Sequence, residues 1–563
     1  MYHPIILIIT LLMAAMSCSQ ADRKADLILT GGVIYTVDPQ FSTAEALAVR
    51  DGKILAVGSS KEITGMYRAS EVRDLEGAFV YPGWIDAHCH FFGYGMNLNS
   101  ADLAGTISVE DIIRRLKEHR LSGPAIWLTG RGWDQNDWEV QEFPGREMLD
   151  EHFPDIPVLL RRIDGHAAWV NTRVLQMAGI TGETRVEGGA VLIENGEPTG
   201  ILVDNAIGLV DRLVPPPTRE EIVRALLQAE KNCFSVGLTS VQDAGLSKET
   251  VVMIDSLYQE EALKIRMNTW LSPSMENFEY FVEKGPTQTD RLSVNTIKLF
   301  ADGALGSRGA RMIEPYSDDP GNYGLFVSSV ETLESHCRKA YELNFAVATH
   351  CIGDAANREI LKLYAGILGG KNDRRWRIEH SQIIQPGDIR LFGEYSIVPS
   401  VQPTHATSDM YWAEMRIGAD RMRGAYAYRE LMEQNGWIPF GSDFPVENIN
   451  PLYGFYAAVV RKDHSGYPPE GFRVENALSR EDALRAMTIW AAKAGFEEHL
   501  KGSLEPAKLA DLVITGKDLM TAPAKELFSI RVLATYSGGE LVYSAPAGQV
   551  DPTLADRLPP NER

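Results

Sequence analysis

The chain has 563 residues, too many for one ordinary core, so two or three structural units are expected. Its apolar fraction of 44% suits a globular protein, and its formal net charge of −21 excludes a nucleic-acid binder, which needs a basic surface, and argues against attraction to an anionic membrane. The five cysteines, Cys18, Cys89, Cys233, Cys337 and Cys351, lack the CxxC spacing of a zinc ribbon or a thioredoxin-like site.

Residues 1–18 read as a targeting segment. Ile5–Ala15 is apolar apart from Thr10 and is too short to span a bilayer as a mature helix. Small residues, Cys18 and a polar stretch follow. This resembles a bacterial lipoprotein signal with Cys18 as the lipidated first residue, although no Lys or Arg precedes the apolar run and Ala15 stands where Leu is usual. The alternative is an ordinary cleaved signal. Either way the protein is expected to be exported, periplasmic or membrane-anchored, touching a membrane only through a lipid at Cys18.

Residues 25–80 read as short strands, with Asp51-Gly52 as a hairpin turn between Ala46–Arg50 and Lys53–Gly58. Residues 501–546 read likewise, with Ser537–Glu540 as a second hairpin. Between them, residues 81–500 carry eight candidate strands: Tyr81–His90, Gly237–Asp243, Lys264–Leu271, Asn295–Asp302, Phe345–His350, Trp376–Ser381, Ile397–Gln402 and Ile438–Asp443. Helical stretches lie between several of them, one opened by a capping box from Thr218 to Glu221. Alternating strand and helix predicts a parallel closed sheet. The first crossover holds about 145 residues, far more than one helix needs, so residues from about 100 to 217 form an insertion. It leaves the C-terminal end of the first strand and is expected over the mouth of the barrel. The tail 547–563 is polar and proline-containing.

His88 and His90 end the first strand. On a strand, alternate residues point the same way, so both imidazoles face one side and Cys89 the other. Two neutral imidazoles on one rigid strand end suit a divalent metal. His350, His380, Asp443 and Lys298 each lie at or near the end of another apolar run. A (β/α)8 barrel gathers such ends into one active site. Singly, each histidine could be a satisfied core residue, Asp443 a loop cap, and Lys298 a cation paired near Asp302.

The ordered stretches Pro82–His90, Ile297–Arg308, His350–Asn357, Arg377–Gln382 and Gly441–Val446 resemble the metal-dependent amidohydrolase superfamily, in the branch that includes N-substituted formamide deformylases. The likeness runs from about Ala25 to about Val542. It implies an α/β fold: a (β/α)8 TIM-type barrel beside a small β-sandwich built from both chain ends. It implies one or two divalent ions, with Zn2+ favoured. His88, His90 and Asp443 would hold one ion, and His350 and His380 the other. Lys298 would bridge them as N6-carboxylysine, since desolvation favours the neutral amine that captures carbon dioxide. The expected activity is hydrolysis of a non-peptide C–N bond, an amide or N-formyl group of a small molecule. Asp443 and Lys298 are the expected catalytic residues: the metal lowers the pKa of water, and Asp443 carries a proton to the leaving nitrogen. Ester or lactone hydrolysis on the same site, and a non-catalytic binding protein, are the rivals. Glu379 precedes a ligand and is expected to point outward. Trp133, His166 and Arg308 are candidate substrate contacts. For Trp133 the alternative is packing inside the insertion, and for Arg308 a surface ion pair. A homodimer stays open.

Overall fold

The computed structural model describes residues 23–121, 126–282 and 284–546. The segment expected to be a leader, with Cys18, and the tail 547–563 lie outside them. Among the described residues, no helix is long and apolar enough to cross a membrane.

Seven parallel strands form a nearly closed barrel: Trp84–Cys89, Leu238–Leu246, Arg266–Leu271, Leu292–Phe300, Ala346–Cys351, Arg377–His380 and Val398–Ser400. The eighth predicted strand, Ile438–Asp443, forms one isolated bridge, Val401 to Phe440, rather than a regular ladder. It still closes the ring. The Ala87 N–H donates to Phe440 O (2.9 Å), the Gly441 N–H to Val401 O (3.1 Å) and the Asp443 N–H to His88 O (2.8 Å). Two features explain the irregular backbone. Pro439 cannot donate to a ladder, and Asp443 has φ of 61°. Gly441 is required by close approach, since a Cβ there would stand 2.5 Å from the His88 backbone nitrogen.

The two chain ends join beside the barrel. Leu512–Thr515 pairs antiparallel with Phe79–Pro82 in a six-stranded sheet, which faces a four-stranded sheet centred on Ala46–Arg50 and Lys24–Thr30. Leu29, Leu47, Val49, Val80, Leu512 and Ile514 fill the space between the two sheets. Both expected hairpins are tight turns with left-handed central residues: Asp51 (φ 51°) with Gly52 (75°), and Gly538 (57°) with Gly539 (76°).

The insertion has a six-stranded sheet of its own, with Val158–Arg162 and Leu128–Trp133 near its middle. Its strands alternate between two cores. Leu128, Val158 and Leu160 pack with Trp133, Trp138 and Trp169 on one face, while Leu159, Ala168 and Leu202 pack on the other. Helix Arg219–Ser235 then returns the chain to the barrel, opened by the Thr218–Glu221 capping box with both reciprocal hydrogen bonds formed.

Candidate metal centre

The strand ends and the insertion enclose a cavity of about 1610 Å³ lined by His90, Lys298, His350, His380, Asp443 and His166, among others. His380 and Asp443 of this lining and the fully buried His88 each offer a ligand atom, all within 4.8 Å of one another. His90 Nε2 stands 3.1 Å from Asp443 Oδ1, and Lys298 Nζ stands 3.0 Å from His88 Nε2. The His350 ring lies 4.5 Å from His380, but its Nε2 faces Gly303 O at 3.4 Å.

The protonation pattern suits a cation. Burial, then the neighbouring Lys298 charge, pushes His88 down to about 4. Burial also carries His350 and His380 well below the ordinary imidazole value. All three are therefore neutral near pH 7 and have lone pairs to give. Burial opposes ionisation of Asp443, but the His90 and His88 imidazoles beside it hold its carboxyl well below the usual range. Burial lowers Lys298 to about 8. Two atoms carry the fit to a metal: His380 Nδ1 is buried without a hydrogen-bond partner, and Asp443 Oδ1 is buried with only the ring nitrogens of His90 (3.1 Å) and His88 (3.5 Å) beside it. Unsatisfied buried polar atoms are costly, and a divalent cation would complete both. The residues present therefore fit one.

The scaffold beneath these groups is polar and fully buried. Glu379 Oε2 lies 2.5 Å from His88 Nδ1 and accepts a hydrogen bond from its N–H, while Arg377 Nε donates to Glu379 Oε1 at 2.7 Å. Burial works against the Glu379 charge, yet Arg377 and His88 hold its carboxyl down at about 2. Arg377 is tied in turn to Gln242 Oε1 (2.7 Å) and Ala87 O (2.8 Å). A carboxylate on Nδ1 fixes the tautomer that aims the Nε2 lone pair into the site. Asp86 accepts the backbone N–H groups of His88 and Ser442 and the Ser442 hydroxyl (2.6 Å), locking the first strand to the segment that bears Asp443.

The sequence model of the Amidohydro_3 group, described as "Amidohydrolase family", matches residues 71–543. The chain belongs to the amidohydrolase family. It is 36% identical to the protein LONG AFTER FAR-RED 3 of Arabidopsis thaliana over 92% of each chain. It is 26% identical to the N-substituted formamide deformylase of Arthrobacter pascens over 92% of this chain and 99% of that one. A crystal structure of an uncharacterized metal-dependent hydrolase from Pyrococcus horikoshii superimposes with a TM-score of 0.72 at 28% identity, covering 88% of this chain and 99% of the other.

Within this amidohydrolase, three expectations need correction. Glu379 does not point outward. Arg377 and Glu379 share the inner face by ordinary alternation, and the left-handed backbone at His380 (φ 69°) and Ser381 (φ 43°) brings the His380 side chain inward as well. Trp133 is no cavity wall. It is fully buried in the insertion's core, with its indole N–H on Leu160 O at 3.0 Å. Arg308 meets Asp318 at 3.0 Å in a partly exposed ion pair rather than facing the cavity. The salt bridge considered between Lys298 and Asp302 is also absent, because Asp302 accepts the backbone N–H groups of Ile352, Gly353 and Arg311.

His166 does reach the site. Its ring lies 4.9 Å from His350, and its Nδ1 lies 2.5 Å from Asp204 Oδ1. Asp204 has φ of 50° and ψ of −124°, a conformation rarely tolerated outside glycine. Gly303 and Gly309, in the loop after the fourth barrel strand, make room for its carboxylate. A Cβ at either would come within 2.8 Å of Oδ2. Sequence reasoning missed Asp86, Arg377, Glu379, Asp204 and His405, whose ring stacks on His380 at 5.7 Å. Only Asp86 and Glu379 had a visible signal, since they stand beside ligand candidates in the Asp-Ala-His and Glu-His pairs.

Proposed function

We propose that this amidohydrolase hydrolyses a non-peptide C–N bond, an amide or N-formyl group, in a small molecule, using one or two divalent ions. Zinc is favoured because imidazole nitrogens and a carboxylate in a compact set are its usual protein ligands. The observation that carries the reading is the convergence of His88, His380 and Asp443, with His380 Nδ1 buried and unpartnered, beside one cavity. His88, His90 and Asp443 would hold one ion, and His350 and His380 a second, with Lys298 between them, directly or as a carbamate. When bound, the metal supplies Lewis acidity and water acidified toward neutral pH.

The chain's own residues do the rest. Glu379 keeps His88 in the tautomer that presents Nε2. Asp443, held anionic, takes a proton from the attacking water and returns it to the leaving nitrogen. Arg131, Asp164 and His166 of the insertion line the cavity, and wherever bound substrate displaces water there, electrostatic contacts strengthen. His166, fixed by Asp204, faces the reacting groups from above. The leader suggests that this chemistry takes place outside the cytoplasm.

Matched amides and esters of the same acyl groups test the reading, assayed on purified protein whose metal content is measured in parallel. Turnover of N-formyl or other amides, lost in the His88→Ala/His90→Ala double variant, is expected. Faster turnover of the esters alone would favour the esterase alternative. A metal-free protein inert toward both classes would leave a binding protein.

A further inference from the structure

Arg131 lies on the insertion strand Leu128–Trp133 and lines the cavity shared with His90, Lys298 and Asp443. Neighbouring arginines of the insertion are neutralised. Arg162 sits between Asp134 and Asp164, and Arg161 bonds Asp211. Arg131 is different. One terminal nitrogen donates to Ile163 O at 2.9 Å, its Nε is buried without a partner, and among the described residues no carboxylate oxygen comes within 4 Å of it. The nearby acids Asp134 and Asp164 are committed to Arg162. Burial and then the like charge of Arg161 push its pKa down to about 10, as expected of a cation short of neutralisation.

Its placement is also specific. Gly165 (φ 76°) lies under the guanidinium, and a Cβ there would stand 3.3 Å from a terminal nitrogen. The next residue is His166, whose ring touches His350. The charge of Asp443 also acts on Arg131. A guanidinium in the insertion thus lines the same cavity as the candidate metal-ligand histidines His90, His350 and His380. An uncompensated cation beside a cavity is costly, and a ligand anion removes the cost.

We propose that Arg131 is an anion receptor and that the substrate carries a carboxylate, so the preferred class is an N-acyl or N-formyl compound with a free acid group. This rests on the hydrolase reading and narrows its substrate. The planar N–H fork of arginine matches a carboxylate, which a lysine ammonium does not reproduce. The insertion would then orient the substrate by its acid while the barrel acts on the amide.

The test uses the metal-replete full chain with paired probes, N-formylleucine and N-formylleucinamide, which differ in that one group. Calorimetric affinity and kcat/KM are both measured for the parent, Arg131→Gln and Arg131→Lys. The parent is expected to favour the acid by about ten- to hundredfold. Arg131→Gln should erase that preference while the amide probe changes by a few-fold at most, and Arg131→Lys should restore part of it. If Arg131→Gln fails to fold, Arg131→Lys against the parent gives the same comparison. No preference in the parent, no binding of the acid, or a preference that survives in Arg131→Gln would overturn the receptor. Arg131-dependent binding without hydrolysis of either probe would leave the receptor standing and sink the reaction. Hydrolysis without preference would do the reverse.

Discussion

Glu379→Gln is the most informative single change, because it alters one oxygen in a fully buried network. The parent carboxylate accepts from His88 Nδ1 at 2.5 Å and from Arg377 Nε at 2.7 Å. An amide of the same size cannot do both. If its oxygen faces Arg377, its NH2 donates to His88 Nδ1 and moves the ring proton to Nε2, removing the lone pair aimed at the site. If its oxygen faces His88, two donors meet at Arg377. The first arrangement costs metal affinity and the second costs stability. Loss of such a supporting carboxylate is worth about 10–100-fold in metal affinity or activity, or about 1.4–2.8 kcal/mol. Breaking a buried ion pair outright costs about 3–5 kcal/mol, an upper bound here because Arg377 keeps Gln242 and Ala87 O. Chelator competition reads the metal affinity, and nitrogen chemical shifts of His88 report which ring nitrogen carries the proton. A variant with parental affinity, activity and tautomer would refute the argument that Glu379 sets the His88 lone pair.

Asp443→Asn keeps the shape but loses the base, and kcat should fall by about 10²–10⁴. A rate within a few-fold of the parent would make Asp443 a structural cap. Lys298→Ala should lose an ion and most activity, and short carboxylic acids should partly restore both if the lysine acts as a carbamate; rescue by amines alone would point to a simple cation. The buried pair Arg266–Asp511 (2.7 Å) joins the third barrel strand to the β-sandwich. Burial opposes the Asp511 charge, but Arg266 holds its carboxyl below the ordinary value. That contribution to stability is present above the unfolded carboxylate range near pH 4 and is lost as pH falls through the lower folded value. Asp511→Ala should therefore be destabilised by about 3–5 kcal/mol at pH 7, with a gap that narrows in acid; a gap independent of pH by denaturant unfolding would exclude the linkage.

Much of the architecture was legible in the sequence because it is local. Apolar runs of strand length, turn pairs such as Asp51-Gly52 and the Thr218–Glu221 cap are decided within a few residues, and the ordered histidines at run ends carried the family resemblance. The insertion could be sensed from the length of the first crossover. The parity of the sixth strand could not, since a left-handed backbone at His380 and Ser381 lets His380 join Glu379 on the inner face, where alternation alone allows only one of the two. Trp133 and Arg308 were ambiguous for a related reason: a tryptophan or an arginine in a loop-rich stretch reads alike whether it faces a cavity, a core or a carboxylate. The pairs that orient the site are long-range, with Glu379 and His88 separated by 291 positions and Asp204 and His166 by 38. Side chains so far apart share no local pattern, and only closure of the barrel and folding of the insertion over it bring their charges within hydrogen-bonding distance.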